Sequence, residues 1–131
     1  MRNYIDGGET IVESFRRLNI DYVIASPGSE WGSVWEAFAR QKADKADGPI
    51  YLSCAHENLA VNLAMGYTAM TGRMQAVMLH TGVGLLQGSM AIDAANRQAI
   101  PMVIVSGESL TYSEQEGFEP GPQWQGLLSV V

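Results

Sequence analysis

Several features are scarce in this 131-residue chain, and each scarcity excludes a class of protein. A single cysteine, Cys54, rules out an internal disulfide bond and any metal cluster built from several cysteines. Only 8 basic residues stand against 14 acidic ones, and the net charge of -6 argues against nucleic acid and anionic membranes as partners. The chain also lacks a bilayer-spanning apolar run and a signal segment, so we expect a cytoplasmic protein.

The composition that remains is typical of one folded domain, with 47% apolar and 17% charged residues. Four short apolar runs occupy residues 22–26, 50–54, 75–80 and 102–107, and helical patterns lie near 7–19, 31–43, 57–72 and 84–98. Because the runs are apolar throughout, they suit strands that are covered on both faces. The alternation predicts an α/β fold, a doubly wound, mostly parallel sheet with helices on both faces.

Turn residues follow each predicted strand, at positions 26–29, 55–57, 81–84 and 106–109. In open α/β sheets, ligands bind at the carboxyl ends of the strands, so these turns are the expected location of function. The segment 111–126 is polar and rich in glycine and proline, which predicts a long surface loop.

An acid, a base and a hydroxyl group fall at the ends of three different predicted strands. Glu57 opens a helical pattern, where it is either an acid that stabilises the helix N-terminus or the centre of the chemistry. His80 is either a hydrogen-bonded structural residue or a proton donor and acceptor. Ser29 is either the N-cap of the helix that begins near Trp31 or a functional hydroxyl. Their convergence on one sheet edge favours a functional site.

The turn at 81–84, Thr-Gly-Val-Gly, is a weak nucleotide motif, because it lacks the Lys-Ser/Thr pair of a P-loop and the third glycine of a dinucleotide fingerprint. Its ordinary interpretation is a tight turn in which Gly82 and Gly84 adopt special backbone angles. The helix at 57–72 is apolar almost all round, which predicts burial at a subunit interface formed by homodimerisation. We expect the core to include four methionines, Met65, Met70, Met74 and Met78.

Three stretches, and their spacing, make the chain similar to a known family. They are SPGSEWGSVWEAF (26–38), AHENLAVNLAMGYTAMTGR (55–73) and HTGVGLLQGSMAIDAANRQAIPMVIVSG (80–107). In this order they resemble the pyrimidine-binding domain of thiamine diphosphate-dependent enzymes, in the group of acetolactate synthase, benzoylformate decarboxylase and benzaldehyde lyase. The resemblance covers about residues 8–109. It implies that residues 1–131 are the N-terminal domain of such an enzyme, and we expect this domain to be incomplete.

The resemblance implies a role for each candidate residue. The glutamate of the family that matches Glu57 hydrogen-bonds N1′ of the aminopyrimidine and promotes its 4′-imino tautomer, which removes the C2 proton of the thiazolium. His80 matches a proton donor or acceptor near the thiazolium, and Ser29 a hydrogen-bond partner for a substrate carboxylate or carbonyl. The cofactor-binding residues implied by the match are Pro27, Gly28, Glu57, Gly82, Gly84 and Gln87. Near Gln87 the family usually has a shorter asparagine.

The resemblance also implies a second, diphosphate-binding domain, whose signature is not found in this sequence. The family's second thiamine domain binds the diphosphate through Mg²⁺, so we expect both thiamine diphosphate and Mg²⁺ as cofactors but assign no metal ligand to this chain. We expect a fragment or subunit that is inactive alone, within a homo-oligomer (at least a dimer) or a complex with a diphosphate-binding domain or subunit. The expected enzyme is a lyase or a transferase, namely a decarboxylase, carboligase or lyase that acts on a small 2-oxo acid or a related substrate.

Two questions stay open from the sequence. The family places a glutamine from the segment 111–126 in the active site, and three residues qualify: Gln115, Gln123 and Gln125. The alternative function is a non-catalytic, dimerising interaction module with the same fold. A generic nucleotide-binding flavodoxin-like domain is disfavoured, because the phosphate fingerprint is missing.

Overall fold

The structure of the protein is a computed structural model that describes residues 6–107. Within this range the strands are β1 (Tyr22–Ser26), β2 (Ile50–Ser53), β3 (Gln75–Leu79) and β4 (Met102–Ser106). The helices are α1 (Gly7–Arg17), α2 (Gly32–Ala43), α3 (Glu57–Thr71) and α4 (Val83–Arg97), and a 3-10 turn, Ser29–Trp31, precedes α2. Each predicted strand and helix is confirmed, with small shifts at the ends.

The strands of the described sheet all run parallel, in the order β2-β1-β3-β4. Val23 of β1 pairs with Tyr51 of β2 on one side and with Ala76 of β3 on the other. The chain winds outward from β1 to β2, crosses back to β3 and continues to β4. The connections that leave β1 and β3 therefore diverge, and the crevice between such connections is where sheets of this kind bind ligands.

Alternate residues of the central strands point to opposite faces of the sheet and enter two separate cores. The core that joins β1 and β3 to α1 and α2 includes Val12, Phe15, Val23, Phe38 and Met78. The core that joins the same strands to α3 and α4 includes Ile24, Val61, Val77, Leu79 and Ile92. Helices thus cover both faces of a parallel sheet, which confirms the predicted fold class.

A network around Gln75 closes the amino-terminal edge of the sheet. The Gln75 side chain is fully buried, its Oε1 accepts a hydrogen bond from Tyr22 N–H at 2.7 Å, and its Nε2 donates to Asp21 at 3.2 Å. Asp21 also accepts from the Tyr67 hydroxyl and pairs with Arg73. Burial alone would raise the pKa of Asp21, but the bonds from Arg73 and Tyr67 hold it below its usual value. The polar groups of this edge therefore satisfy one another.

Two expectations about burial are wrong. The apolar run of β2 predicts a strand covered on both faces, but β2 lies at the edge of the described sheet and Ile50 is 58% exposed. Met70, expected in the core, is 87% exposed on α3, whereas Met78 is fully buried. Hydrophobic composition alone does not distinguish an edge strand from a central one, or the inner side of an all-apolar helix from its outer side.

Helices α3 and α4 pack side by side and leave large apolar side chains on the outside. These residues are Leu59, Leu63 and Met70 on α3 and Val83, Leu86 and Met90 on α4, and we call them the α3–α4 apolar surface. Contiguous exposed apolar areas mark interaction sites more often than free surface. Among the helices described, none has both the length and the apolar character needed to cross a membrane.

Candidate functional site

The candidate site lies at the carboxyl-terminal edge of the sheet, where the connections after β1 and β3 diverge. The connection after β1 contains Pro27, Gly28 and the 3-10 turn, and the connection after β3 leads through residues 80–82 into α4. Trp31, at the end of the turn, is buried, and its Nε1–H donates to the backbone carbonyl of Leu79 at 3.0 Å. This bond holds the first connection against the end of β3.

Glu30 and His80 are in direct contact across the crevice. Glu30 Oε1 lies 2.7 Å from His80 Nδ1 and also accepts a hydrogen bond from Thr81 N–H at 2.9 Å. The Glu30 side chain is 25% exposed and that of His80 is 40% exposed. Burial alone would raise the pKa of Glu30, but the hydrogen bonds from His80 and Thr81 hold it below its usual value, so the carboxylate is ionised at neutral pH.

Thr81 and Ser106 extend these contacts to the end of β4. The Thr81 hydroxyl donates to the carbonyl oxygen of Gly107 at 2.9 Å, and the Ser106 hydroxyl donates to the carbonyl oxygen of His80 at 3.3 Å. Side-chain hydrogen bonds thus bridge the connection after β1 and the ends of β3 and β4, and they fix the backbone on which His80 stands.

Two glycines allow the side chains of the site to approach one another. A Cβ atom on Gly28 would collide with His80 Nδ1 and with Glu30 Oε2. A Cβ atom on Gly84 would lie 2.7 Å from His80 Cβ and 3.1 Å from Glu57 Oε1. Gly84 therefore stands between His80 and Glu57, so the predicted convergence of acid and base on one edge is present in the structure.

Helix α3 begins with His56 as its N-cap, a residue to which the sequence pattern assigns no role. The backbone of His56 is extended, and its Nδ1 accepts a hydrogen bond from Asn58 N–H at 3.1 Å. Glu57 is the first residue of the helix, and its partly buried carboxylate makes no hydrogen bond or ion pair with residues 6–107. Since the capping bond comes from His56, the Glu57 carboxylate is left for another partner.

Ser29 lies on the same edge but does not cap a helix. It is exposed at the start of the 3-10 turn, and neither the turn nor α2 has a side-chain capping hydrogen bond. The N-cap interpretation of Ser29 is wrong, because the turn separates it from α2 and Trp31 occupies the N-cap position of that helix. The Ser29 hydroxyl makes no hydrogen bond with the residues described.

The remaining predicted cofactor-binding residues follow β3. Gly82 has a φ of 55°, which confirms the special backbone angle expected there. The same expectation is wrong for Gly84, where glycine is needed because His80 and Glu57 leave no space for a Cβ atom. Gln87 is exposed on α4 and lines a groove between α3 and α4 together with His56 and Asn62. The candidates Gln115, Gln123 and Gln125 lie outside the described residues.

No group of three or more His, Cys, Asp or Glu side chains within residues 6–107 is placed to hold a metal ion. Cys54, just after β2, is partly buried, and burial raises the pKa of its thiol. A protonated thiol is a poor nucleophile and a poor metal ligand. Cys54 is therefore not a candidate nucleophile or metal ligand at the described edge.

Two parts of the site are not predicted from the sequence. The sequence pattern does not single out Glu30, although an acid in a turn at the same sheet edge as a strand-end histidine is a recognisable signal. Thr81 contributes through its backbone N–H, which no side-chain pattern reveals. The sequence thus predicts the catalytic candidates but not the residue that holds one of them.

Residues 5–126 match the family described as thiamine pyrophosphate enzyme, N-terminal TPP binding domain. The chain belongs to this family. The match confirms the resemblance on which the site assignment rests, and the cofactor of the family, thiamine pyrophosphate, is the expected thiamine diphosphate.

Individual relatives agree with this family. The chain is 29% identical over 107 residues to the acetolactate synthase large subunit of Haemophilus influenzae. The matched region is 82% of this chain and 18% of that protein. It is 26% identical over 124 residues to sulfoacetaldehyde acetyltransferase of Rhodobacter capsulatus, covering 94% of this chain and 20% of the relative. Both comparisons show that the chain spans a fifth or less of the length of these enzymes.

A solved structure has the same fold. Benzoylformate decarboxylase from Polynucleobacter necessarius superposes with a TM-score of 0.63 at 22% identity, covering 83% of this chain and 19% of the decarboxylase. In that decarboxylase, the parallel sheet with helices on both faces makes up about a fifth of the chain.

Proposed function

We propose that this chain binds the aminopyrimidine of thiamine diphosphate and that Glu57 exchanges a proton with the ring. The observation that supports the proposal is the position of Glu57, which is partly buried, faces Gly84 and makes no hydrogen bond with residues 6–107. The helix needs no capping bond from this carboxylate, because His56 provides one. The identity of the cofactor comes from the family.

The lack of a side chain at Gly84 supports the binding of a flat ring beside Glu57. Gly84 keeps the space beside Glu57 Oε1 free of a side chain, and a Cβ atom there would lie only 3.1 Å from this oxygen. We propose that Pro27, Gly28, Gly82 and Gly84 line the same space, as backbone that a ring can approach closely. Gln87 would contact the cofactor only from the groove between α3 and α4.

When bound, thiamine diphosphate supplies an electron sink for chemistry at a carbonyl carbon. The proposed role of Glu57 is to share a proton with a weakly basic nitrogen of the aminopyrimidine ring. A carboxyl group can do this where water is excluded. We propose that His80 holds or gives a proton on the substrate side, since it lies just across Gly84 from Glu57. Ser29 would donate its hydroxyl to a carboxylate or carbonyl of the substrate.

The reaction that we propose for the whole protein is decarboxylation, carboligation or lysis of a small 2-oxo acid or a related compound. Its support is the range of relatives, named as an acetolactate synthase, a sulfoacetaldehyde acetyltransferase and a benzoylformate decarboxylase. Because the chain spans a fifth or less of two of these proteins and 19% of the third, the activity belongs to an assembly larger than this chain.

We propose that a second domain or subunit completes the site and binds the diphosphate through Mg²⁺. The α3–α4 apolar surface is the proposed contact, in a homo-oligomer or with a separate diphosphate-binding subunit. Glu57 opens α3 and Leu59 follows two residues later with 48% of its surface exposed. A partner that also covered the amino-terminal ends of α3 and α4 would exclude water from Glu57, which is the environment that its proposed chemistry requires.

The change Glu57→Gln tests the central claim, because glutamine keeps the size of the side chain but cannot exchange a proton. In the complete protein with thiamine diphosphate and Mg²⁺, hydrogen–deuterium exchange at C2 of the bound cofactor should slow by about 100-fold or more. The matched control is Glu36→Gln on α2, whose side chain is 78% exposed, and it should exchange at the normal rate. Exchange at the normal rate in Glu57→Gln would refute the role of Glu57.

The α3–α4 apolar surface also favours the second candidate, a non-catalytic dimerising module with the same fold. Isothermal titration of the complete protein with thiamine diphosphate and Mg²⁺ separates the two functions. Saturable binding supports the enzyme, whereas self-association without any binding of the cofactor supports the module.

A further inference from the structure

We propose that Glu30 is a positioning residue that fixes His80 as its Nδ1–H tautomer and so reserves Nε2 for proton exchange in the site. This inference rests on the proposed function, in which His80 exchanges a proton with the substrate. Glu30 itself is not assigned contact with substrate or cofactor. Its effect passes through the imidazole ring.

The first step of the argument is the chemistry of the contact. An ionised carboxylate only accepts hydrogen bonds, so the 2.7 Å approach of Glu30 Oε1 to His80 Nδ1 requires a hydrogen on Nδ1. The neutral ring then has its lone pair on Nε2, which makes no hydrogen bond with residues 6–107. Proton exchange at His80 is thereby confined to Nε2.

The second step is the rigidity of the acceptor. The same oxygen of Glu30 accepts the N–H of Thr81 at 2.9 Å, and Thr81 adjoins His80 in sequence. Trp31, which follows Glu30 in sequence, donates a hydrogen bond to the carbonyl of Leu79, the residue that precedes His80. The carboxylate is therefore held by the same backbone that bears the imidazole, which leaves the pair little freedom to rearrange.

Packing around Glu30 and His80 also favours a fixed contact between them. A side chain at Gly28 would displace both Glu30 and His80, and a Cβ atom on Gly107 would lie 2.9 Å from Glu30 Cγ. Glycine at both positions lets the carboxylate reach the imidazole. The other charged group facing His80 among the described residues is Glu57, across Gly84 on α3, and it is not in hydrogen-bond contact with the ring.

The second histidine of the chain provides an internal comparison. His56 Nδ1 accepts a hydrogen bond from Asn58 N–H, so the neutral ring of His56 carries its hydrogen on Nε2. The chain's two histidines are therefore assigned opposite tautomers, one by a backbone donor and one by a carboxylate acceptor. No general effect of solvent or pH can produce that difference.

Nitrogen-15 NMR of the histidine rings tests the inference in the complete protein, at about pH 8, where ordinary imidazoles are neutral. Long-range proton–nitrogen spectra distinguish the two tautomers, and the variants His80→Asn and His56→Asn identify the signals. We expect Nδ1–H for His80 and Nε2–H for His56. An Nε2–H tautomer for His80 in the unmutated protein would overturn the inference, whatever the folding of any variant.

The change Glu30→Leu, which removes the acceptor oxygens and keeps a side chain of similar size, then tests the functional part. We expect the Nδ1–H tautomer of His80 to lose its dominance, while the signals of His56 stay unchanged. In steady-state kinetics on the loaded enzyme, kcat should fall roughly 10- to 100-fold with little change in KM, within the range that a positioned acid or base contributes. Exchange of the cofactor C2 proton, which depends on Glu57, should keep its rate.

Each outcome has a separate meaning. A tautomer shift together with a lower kcat supports the positioning role. An unchanged tautomer in Glu30→Leu, or a shifted tautomer with unchanged kcat, overturns it. Failure of the complete protein to bind thiamine diphosphate would refute the proposed function instead, and the tautomers would still report on the contact between Glu30 and His80.

Discussion

Gly84 is in contact with two side chains of proposed function, those of His80 and Glu57. On one side of it lies the Cβ atom of His80, 2.7 Å from where a Gly84 Cβ would stand, and on the other lies Glu57. The Cβ of His80 cannot rotate away, because it is attached directly to the backbone. An added methyl group must therefore move the start of α4 or the end of β3, and either movement changes the distance between His80 and Glu57.

For Gly84→Ala we expect the free energy of unfolding to fall by about 1–3 kcal/mol, the usual cost of overpacking, and cofactor binding to weaken. Urea denaturation and titration with thiamine diphosphate measure the two effects. The control is Gly32→Ala at the start of α2, where an added Cβ would meet nothing within 4 Å. It should leave binding intact and raise stability by up to about 1 kcal/mol. Equal behaviour of the two variants would contradict the steric role of Gly84.

At the scale of an element, the start of α3 depends on an imidazole acceptor. His56 Nδ1 supplies the bond to Asn58 N–H, and Glu57 is the next residue. A frayed first turn would move Glu57 together with the backbone that bears it. The capping residue therefore affects the proposed proton exchange without touching the cofactor.

We expect His56→Ala to lower the free energy of unfolding by about 0.5–2 kcal/mol, because the Asn58 N–H loses its acceptor. His56→Asn should retain most of this stability, since asparagine is a good N-cap. Amide hydrogen exchange at Asn58 should accelerate in the alanine variant and not in the asparagine variant. The capping role would be contradicted if both substitutions cost the same.

The outer side of α3 offers a second test at this scale. Leu63 lies on the α3–α4 apolar surface with 42% exposure, and Leu18, at the end of α1, has a similar 47% exposure outside that surface. If a partner covers α3 and α4, Leu63→Gln should weaken association of the complete protein by about tenfold, whereas Leu18→Gln should not. Sedimentation velocity across a range of concentrations measures the difference. Equal association of both variants would exclude this surface as the contact.

At the scale of the whole molecule, the fold is largely predictable because its signals are local. Apolar runs without alternation predict buried parallel strands, and the helical patterns between them predict crossovers. The order β2-β1-β3-β4 is not predicted, and it decides that the connections after β1 and β3 diverge. The exposure of Ile50 and Met70 is missed for a related reason, since both depend on neighbours that sequence periodicity does not specify.

The site is predictable only in part, for physical reasons that differ between residues. Glu57 and His80 stand out because an acid and a base each follow an apolar run. Glu30 becomes significant only when the 3-10 turn brings it within 2.7 Å of a residue 50 positions away. For Ser29 the sequence does not decide between an N-cap and a functional hydroxyl, because the turn that separates it from α2 has no clear sequence signal.

The alternation of side chains along β3 constrains how this protein can change its length. Leu79 faces α3 and α4, Met78 faces α1 and α2, and His80 follows on the side of Glu30. Inserting or deleting a single residue within Gln75–Leu79 would reverse that order and turn His80 away from its carboxylate. In homologous chains, length changes in β3 should therefore be rare, with insertions confined to the exposed connections at the opposite edge, such as residues 44–48.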